Sequence, residues 1–87
     1  MARGIFEVVG LGERRKGYNQ EKKREYDFQE ASLLYDNKNV TGRAACVCLI
    51  GGEDLDAVGG LRVGDMLDVA YHWFKGSIRF DSVIGKG

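Results

Sequence analysis

Between Tyr26 and Ile50 two runs of alternating or apolar-rich positions flank a polar interruption, the pattern of one long β-hairpin. In the first run, Tyr26 to Tyr35, period two places Tyr26, Phe28, Glu30, Ser32 and Leu34 on one face. Asp27, Gln29, Ala31, Leu33 and Tyr35 fall on the other. Asp36-Asn37-Lys38-Asn39 predicts the turn, because Asn and Asp tolerate positive φ and hydrogen-bond their own backbone. The second run, Val40 to Ile50, is rich in β-branched and small apolar residues and predicts a strand packed on both faces.

The remaining elements follow from the same patterning. Gly4–Leu11 predicts a first strand, with Gly10 marking a bulge or bend. Gly12–Arg24 is polar and aperiodic, and reads as a flexible loop or an extended hairpin tip. Glu53–Val58 is the one candidate helix: Leu55 and Val58 lie three apart, acids occupy the first turn, and Gly59-Gly60 closes it. Met66–Phe74 predicts a fourth strand, with Leu67, Val69, Tyr71 and Trp73 on one face and Asp68, Ala70 and His72 on the other. Lys75-Gly76 turns the chain into a fifth strand, Ser77–Ile84, and Gly85–Gly87 is expected to fray. The expected fold class is therefore all-β: a five-stranded OB-type Greek-key barrel with one short helix or loop between strands 3 and 4. An SH3-like barrel is the competing five-stranded shape.

Composition sets limits on this picture. At 87 residues, the chain is read as a single domain spanning 1–87, burying roughly 60–65% of its unfolded surface. Apolar residues at 44% and charged residues at 30% suit an ordinary globular domain, and 13 glycines without proline suit many tight turns. With no long apolar run at the N-terminus, neither a signal peptide nor a membrane span is expected, and the expected compartment is the cytoplasm. Cys46 and Cys48 are read as pointing to opposite faces of the third strand, unable to bridge, and as reduced, small apolar fillers. With His72 the one histidine, no residues show zinc-ligand spacing, and no cofactor is implied.

The formal net charge is zero, but it is unevenly distributed. Residues 1–24 carry seven basic against three acidic side chains, whereas both later stretches are acidic on balance. Arg14, Arg15, Lys16, Lys22, Lys23 and Arg24 form a basic run that a row of phosphates would suit. Tyr18, Tyr35, Tyr71, Trp73 and Phe74 are the candidates for stacking on bases, with Lys75 beside the last of them. Phe6, Phe28 and Phe80 are assigned to the core, and Tyr35 to the outer surface beside the turn. Trp73 and Phe74, adjacent on a strand, are expected to point opposite ways, with one of them outside. Glu30 shares a face with Tyr26 and Phe28 and would then need a partner such as Arg43 or Arg79. No nucleophile–base set and no phosphate-binding glycine loop is present, so no enzyme is expected.

The run Tyr26-Asp27-Phe28-Gln29-Glu30, preceded by the basic stretch and followed by Leu33-Leu34-Tyr35-Asp36, resembles the filamentous-phage helix-destabilising proteins. These are small OB-fold proteins that coat single-stranded DNA, and the likeness covers roughly residues 12–84 in layout. Leu61-Arg62-Val63-Gly64-Asp65, leading into a strand, is similar to a step in OB-fold DNA-binding proteins more broadly, the bacterial single-stranded-DNA-binding proteins among them. The resemblance implies a symmetric dimer that binds single-stranded DNA cooperatively and without sequence readout, in replication of a phage, plasmid or other mobile element. RNA would be served by the same residues. An OB-like protein–protein interaction module is the alternative, with the acidic C-terminal half as its docking surface. Neutral net charge and the acidic Glu53–Asp56 segment depart from the phage pattern.

Overall fold

Arg24–Tyr35 (β3) is the longest strand of the computed structural model, at 12 residues, and both of its edges are paired. The structure describes residues 2–86. Along one edge of β3 run β1 (Ala2–Leu11) and then β2 (Arg15–Asn19); along the other runs β4 (Ala44–Gly51). A short helix, α1 (Gly52–Ala57), leads on to β5 (Met66–Phe74), which pairs with the free edge of β1, and β6 (Ser77–Lys86) pairs with β5. Every ladder is antiparallel.

β1 and β2 behave as one strand with a bend. Leu11 faces Ala31 and Arg15 faces Phe28, so three residues, 12–14, oppose only two, 29–30, the one extra residue of a bulge. The Gly12 N–H still donates to the Glu30 carbonyl at 2.8 Å, and the Gln29 side-chain amide donates to the Gly12 carbonyl at 2.8 Å. A second register shift, between Val8 and Gly10, falls where the glycine predicts a bulge.

The core lies on one side of the curved sheet. Phe6 and Val8 of β1, Ala31, Leu33 and Tyr35 of β3, and Leu67 and Val69 of β5 meet Ile50, Ile78 and Val83 there. Leu55 of α1 joins them, and the helix packs against β3, β4 and β6. Its C-terminus closes on Gly59 and Gly60, both at positive φ, with the Gly60 N–H donating to the Leu55 carbonyl at 2.8 Å. Phe80, half-buried, sets its ring edge-on to Phe6 at 5.1 Å.

Several expectations need correction. The sheet has six strands rather than five, because Arg15–Asn19, within the stretch expected as a loop or hairpin tip, pairs with β3 as a strand of its own. Among the described residues β4 and β6 approach but form no ladder, so the sheet is not closed. Residues 40–43 belong to a longer loop and not to β4. Gly85 and Lys86 are paired in β6 rather than frayed, and Gly87 lies outside the described residues.

The largest correction concerns the phase of β3. Tyr35 is buried at 9% exposure against Phe6, ring centroids 5.1 Å apart, while Tyr26 is exposed and Phe28 half-exposed. Only the second half of β3 crosses the core, so its apolar row is Ala31, Leu33 and Tyr35; the aromatic pair sits on the half that runs past it. Glu30, in phase with the pair, is exposed and needs no buried partner; Arg43 instead pairs with Glu7 at 2.7 Å. Cys46 and Cys48 share one face, as period two requires of residues two apart, with their sulfurs 4.0 Å from each other. Trp73 and Phe74 are both exposed, because the β5–β6 hairpin runs on beyond the Ala2–Tyr71 pair, where β1 ends.

Burial on opposite sides of the same strand separates two aromatic truncations. Tyr35→Ala is expected to cost about 3–5 kcal/mol, the range for emptying a core aromatic site. Phe28→Ala, half-buried on the outward face, is expected to cost about 1 kcal/mol. Urea unfolding of the two variants measures the difference, and equal losses would put the core on the wrong face of β3.

Candidate nucleic-acid interface

Of the two forms expected for the basic stretch, a flexible loop or an extended hairpin tip, the structure shows the second: a β-hairpin, β2–β3, that stands clear of the core. Its turn spans residues 20–23, where the Asn19 side-chain carbonyl accepts the Lys22 N–H at 3.1 Å and Lys23 takes positive φ. Exposure is continuous along Arg15–Tyr18 and Gln20–Tyr26. The radius of gyration, 13.5 Å, exceeds the ~12 Å of a compact chain this long, in keeping with such a projection.

Cross-strand pairing sorts the hairpin into two faces. Arg15 faces Phe28, Gly17 faces Tyr26 and Asn19 faces Arg24, so these six residues share one side. The Tyr26 ring lies over Gly17, where a Cβ would run into it, and tilts toward Phe28 with centroids 5.9 Å apart. Arg15, Lys22, Arg24, Tyr26 and Phe28, with Asn19 and the acidic Glu25 at its edge, line an open groove of about 470 Å³. Arg15, Lys22 and Arg24 enter no ion pair among the described residues.

The opposite face has other chemistry. Lys16 faces Asp27 and Tyr18 faces Glu25, and both pairs look toward Gly52, Glu53 and Asp56 around α1. Here Arg14 binds the Asp27 carboxylate through two nitrogens, at 2.8 and 2.7 Å, and Asp56 at 3.0 Å. Gly52 leaves the room this needs, since a Cβ there would collide with the Asp27 carboxylate. The hydrogen bonds from Arg14 hold Asp27 below the usual carboxylate range, and those carboxylates raise Arg14. Arg14 therefore ties the base of the hairpin to the helix and is not available to a phosphate.

A second exposed cluster caps the other hairpin. Trp73 and Phe74, at 52% and 50% exposure, precede the Lys75-Gly76 turn, in which both residues take positive φ. The Lys75 ammonium sits 5.4 Å from the Phe74 ring centroid. This tip lies beyond the start of β1, whereas β2 continues from its end, so the two hairpins occupy opposite ends of the sheet.

Of the residues singled out in the sequence, Arg15, Lys22 and Arg24 come together, with Lys23 in the adjoining turn. Lys16 and Tyr18 face the acidic side, Lys16 lying 3.9 Å from Asp27. Tyr35 is removed to the core, Tyr71 is half-buried with its ring edge-on to Phe6, and Trp73, Phe74 and Lys75 form a separate site. Tyr26 and Phe28 are not among the residues the sequence singles out, because Phe28 is assigned to the core and Tyr26 shares its face. The legible signal was their cross-strand partners: an Arg and a Gly opposite two aromatics suit an open face better than a packed one. His72 pairs with Asp81, Nδ1 to oxygen 2.8 Å.

No family model matches the chain, and neither a curated protein nor a solved structure matches it. Among the described residues no helix is long and apolar enough to cross a membrane.

The Arg14 tie gives a direction to the pH dependence of stability. Asp27 has a folded pKa below its unfolded value, so its contribution is present above pH ~4 and is lost as pH falls through the folded value. Asp65, held down by the Arg62 N–H and Lys86, and Asp68, held down by Arg3, act in the same direction. Asp27→Asn is expected to lower the melting temperature at pH 7 and to flatten its decline between pH 4 and 2. Melts across that range check this; a decline as steep as that of the wild type would remove the tie.

Proposed function

We propose that this protein binds single-stranded nucleic acid, DNA in the first place, on the outward face of the β2–β3 hairpin and without reading sequence. The observation that carries this is the company of free cations and open rings: Arg15, Lys22 and Arg24 around Tyr26 and Phe28. Cations along a groove track a flexible backbone and release its counterions, while every base offers a π-face to a tyrosine or phenylalanine. A duplex cannot offer its bases this way. Binding then draws the duplex–strand equilibrium toward unpaired DNA, the helix-destabilising role expected of a phage or other mobile-element protein in a host cytoplasm. No catalytic step is needed for that role.

The strand order supports an OB-type reading of the sheet. With β1 and β2 counted as one bent strand, the spatial order is β4-β3-β1-β5-β6, and α1 falls between the third and fourth strands. On this reading the barrel stays open along the β4–β6 seam. OB-folds bind oligonucleotides on the face of strands 2 and 3 and on the loops between strands 1 and 2 and strands 4 and 5. Those places correspond here to β3–β4, the turn at residues 20–23 and the Lys75-Gly76 turn. We also propose a two-fold dimer through the β5–β6 tip, where Trp73 and Phe74 leave apolar area open.

An interaction module is the second reading, favoured by Val47 and Leu49, which stand 62% and 59% exposed on β4. Titration separates the two. Replacing Arg15, Lys22 and Arg24 with Ala should flatten the slope of log K against log salt by about 2, at ~0.7 per phosphate on single strands. Tyr26→Ala should weaken oligo(dT) binding by about 1–3 kcal/mol while leaving the fold intact. An unchanged slope in the triple variant would make the hairpin a solvated arm and favour the module. For the dimer, sedimentation equilibrium at tens of micromolar should give twice the chain mass, and Trp73→Ala should shift it toward monomer; a wild-type monomer rules the contact out.

A further inference from the structure

Cys46 and Cys48 lie on the inward face of β4, half-buried beside the seam that β4 and β6 leave unpaired. Their sulfurs are 4.0 Å apart. A direct disulfide does not suit them. Residues two apart on an extended strand have Cα atoms about 6.6 Å from each other and side chains projecting in parallel. A disulfide brings its Cβ atoms to roughly 3.5–4.5 Å, which would require β4 to buckle within its ladder with β3. A single atom between the sulfurs needs no such distortion. With metal–thiolate bonds of about 2.3 Å, two sulfurs at 4.0 Å subtend an angle of ~120° at the ion.

We propose that Cys46 and Cys48 form a two-thiolate site for a soft monovalent cation, Cu(I), with its third position left to a small external thiol. The ion is chosen by ligand type and ligand number. Paired thiolates select soft ions. Zinc would need further protein ligands, and the described residues hold no group of three or more His, Cys, Asp or Glu able to share an ion. Binding forms two Cu–S bonds and releases the thiol protons to solvent; no electron is transferred.

The test is competition for Cu(I) between the full chain and a chromophoric Cu(I) chelator, without oxygen, with glutathione present and no nucleic acid. One ion per chain is expected. Cys46→Ala and Cys48→Ala should each lower affinity by more than ~100-fold, beyond the ~10–100-fold typical of an outer-shell partner. Iodoacetamide labelling of the wild type gives a readout that does not depend on the variants folding: Cu(I) should protect both thiols together, and Zn(II) should protect neither. Failure of the chain to hold Cu(I) against the chelator, protection of one thiol alone, or equal affinity in folded single variants would overturn the site. None of these outcomes depends on single-strand binding.

Discussion

The side-chain phase of β3 is the constraint on which the rest of this structure depends. A strand with both edges paired cannot slip by one residue without exchanging its two faces along its whole length. In the half that crosses the core, Ala31, Leu33 and Tyr35 are held inward opposite Leu11, Val8 and Phe6. The same phase, carried past the core, turns Tyr26 and Phe28 outward beside Arg15 and Arg24. The hydrophobic effect acts on only one half of β3, yet backbone pairing transmits its choice to the other. Burial at one end thereby sets the chemistry displayed at the far end.

Arg14 shows how one cation can be withdrawn from a basic run. Its planar guanidinium offers a fork that a carboxylate accepts through two hydrogen bonds, and Asp27 receives it so, with Asp56 of α1 taking a third. The hairpin is thus anchored on its acidic side, next to the helix, and open on its basic side. This division gives a chain of zero formal charge a locally positive surface. Net charge is a poor guide where a sheet sorts side chains to two faces.

Much of the fold was legible in the pattern. The second hairpin, Met66–Phe74 turning at Lys75-Gly76, and the helix ending at Gly59-Gly60 lie within a residue or two of where alternation and turn chemistry placed them. These are local signals, and local physics decides them. Which face of β3 is buried is not local: it depends on β1 and β4 covering only Phe28–Tyr35, and both faces of the strand carry aromatic and aliphatic residues. The basic run was legible as charge, but not the capture of Arg14, which needs α1 folded beneath it. Alternation predicts one of Trp73 and Phe74 inside, yet both stand outside, because alternation assumes a covered face and the hairpin tip has none.

The most direct test of a binding face on the outward side of this hairpin is a backbone amide NMR map of the protein titrated with oligo(dT) at low salt. Shifts should concentrate at Arg15, Gly17, Lys22, Arg24, Tyr26 and Phe28, weaken as salt is added, and leave Leu55 of α1 and Val83 of β6 unmoved. Shifts gathered instead at Lys16, Tyr18 and Glu53, or none at low salt, would contradict it.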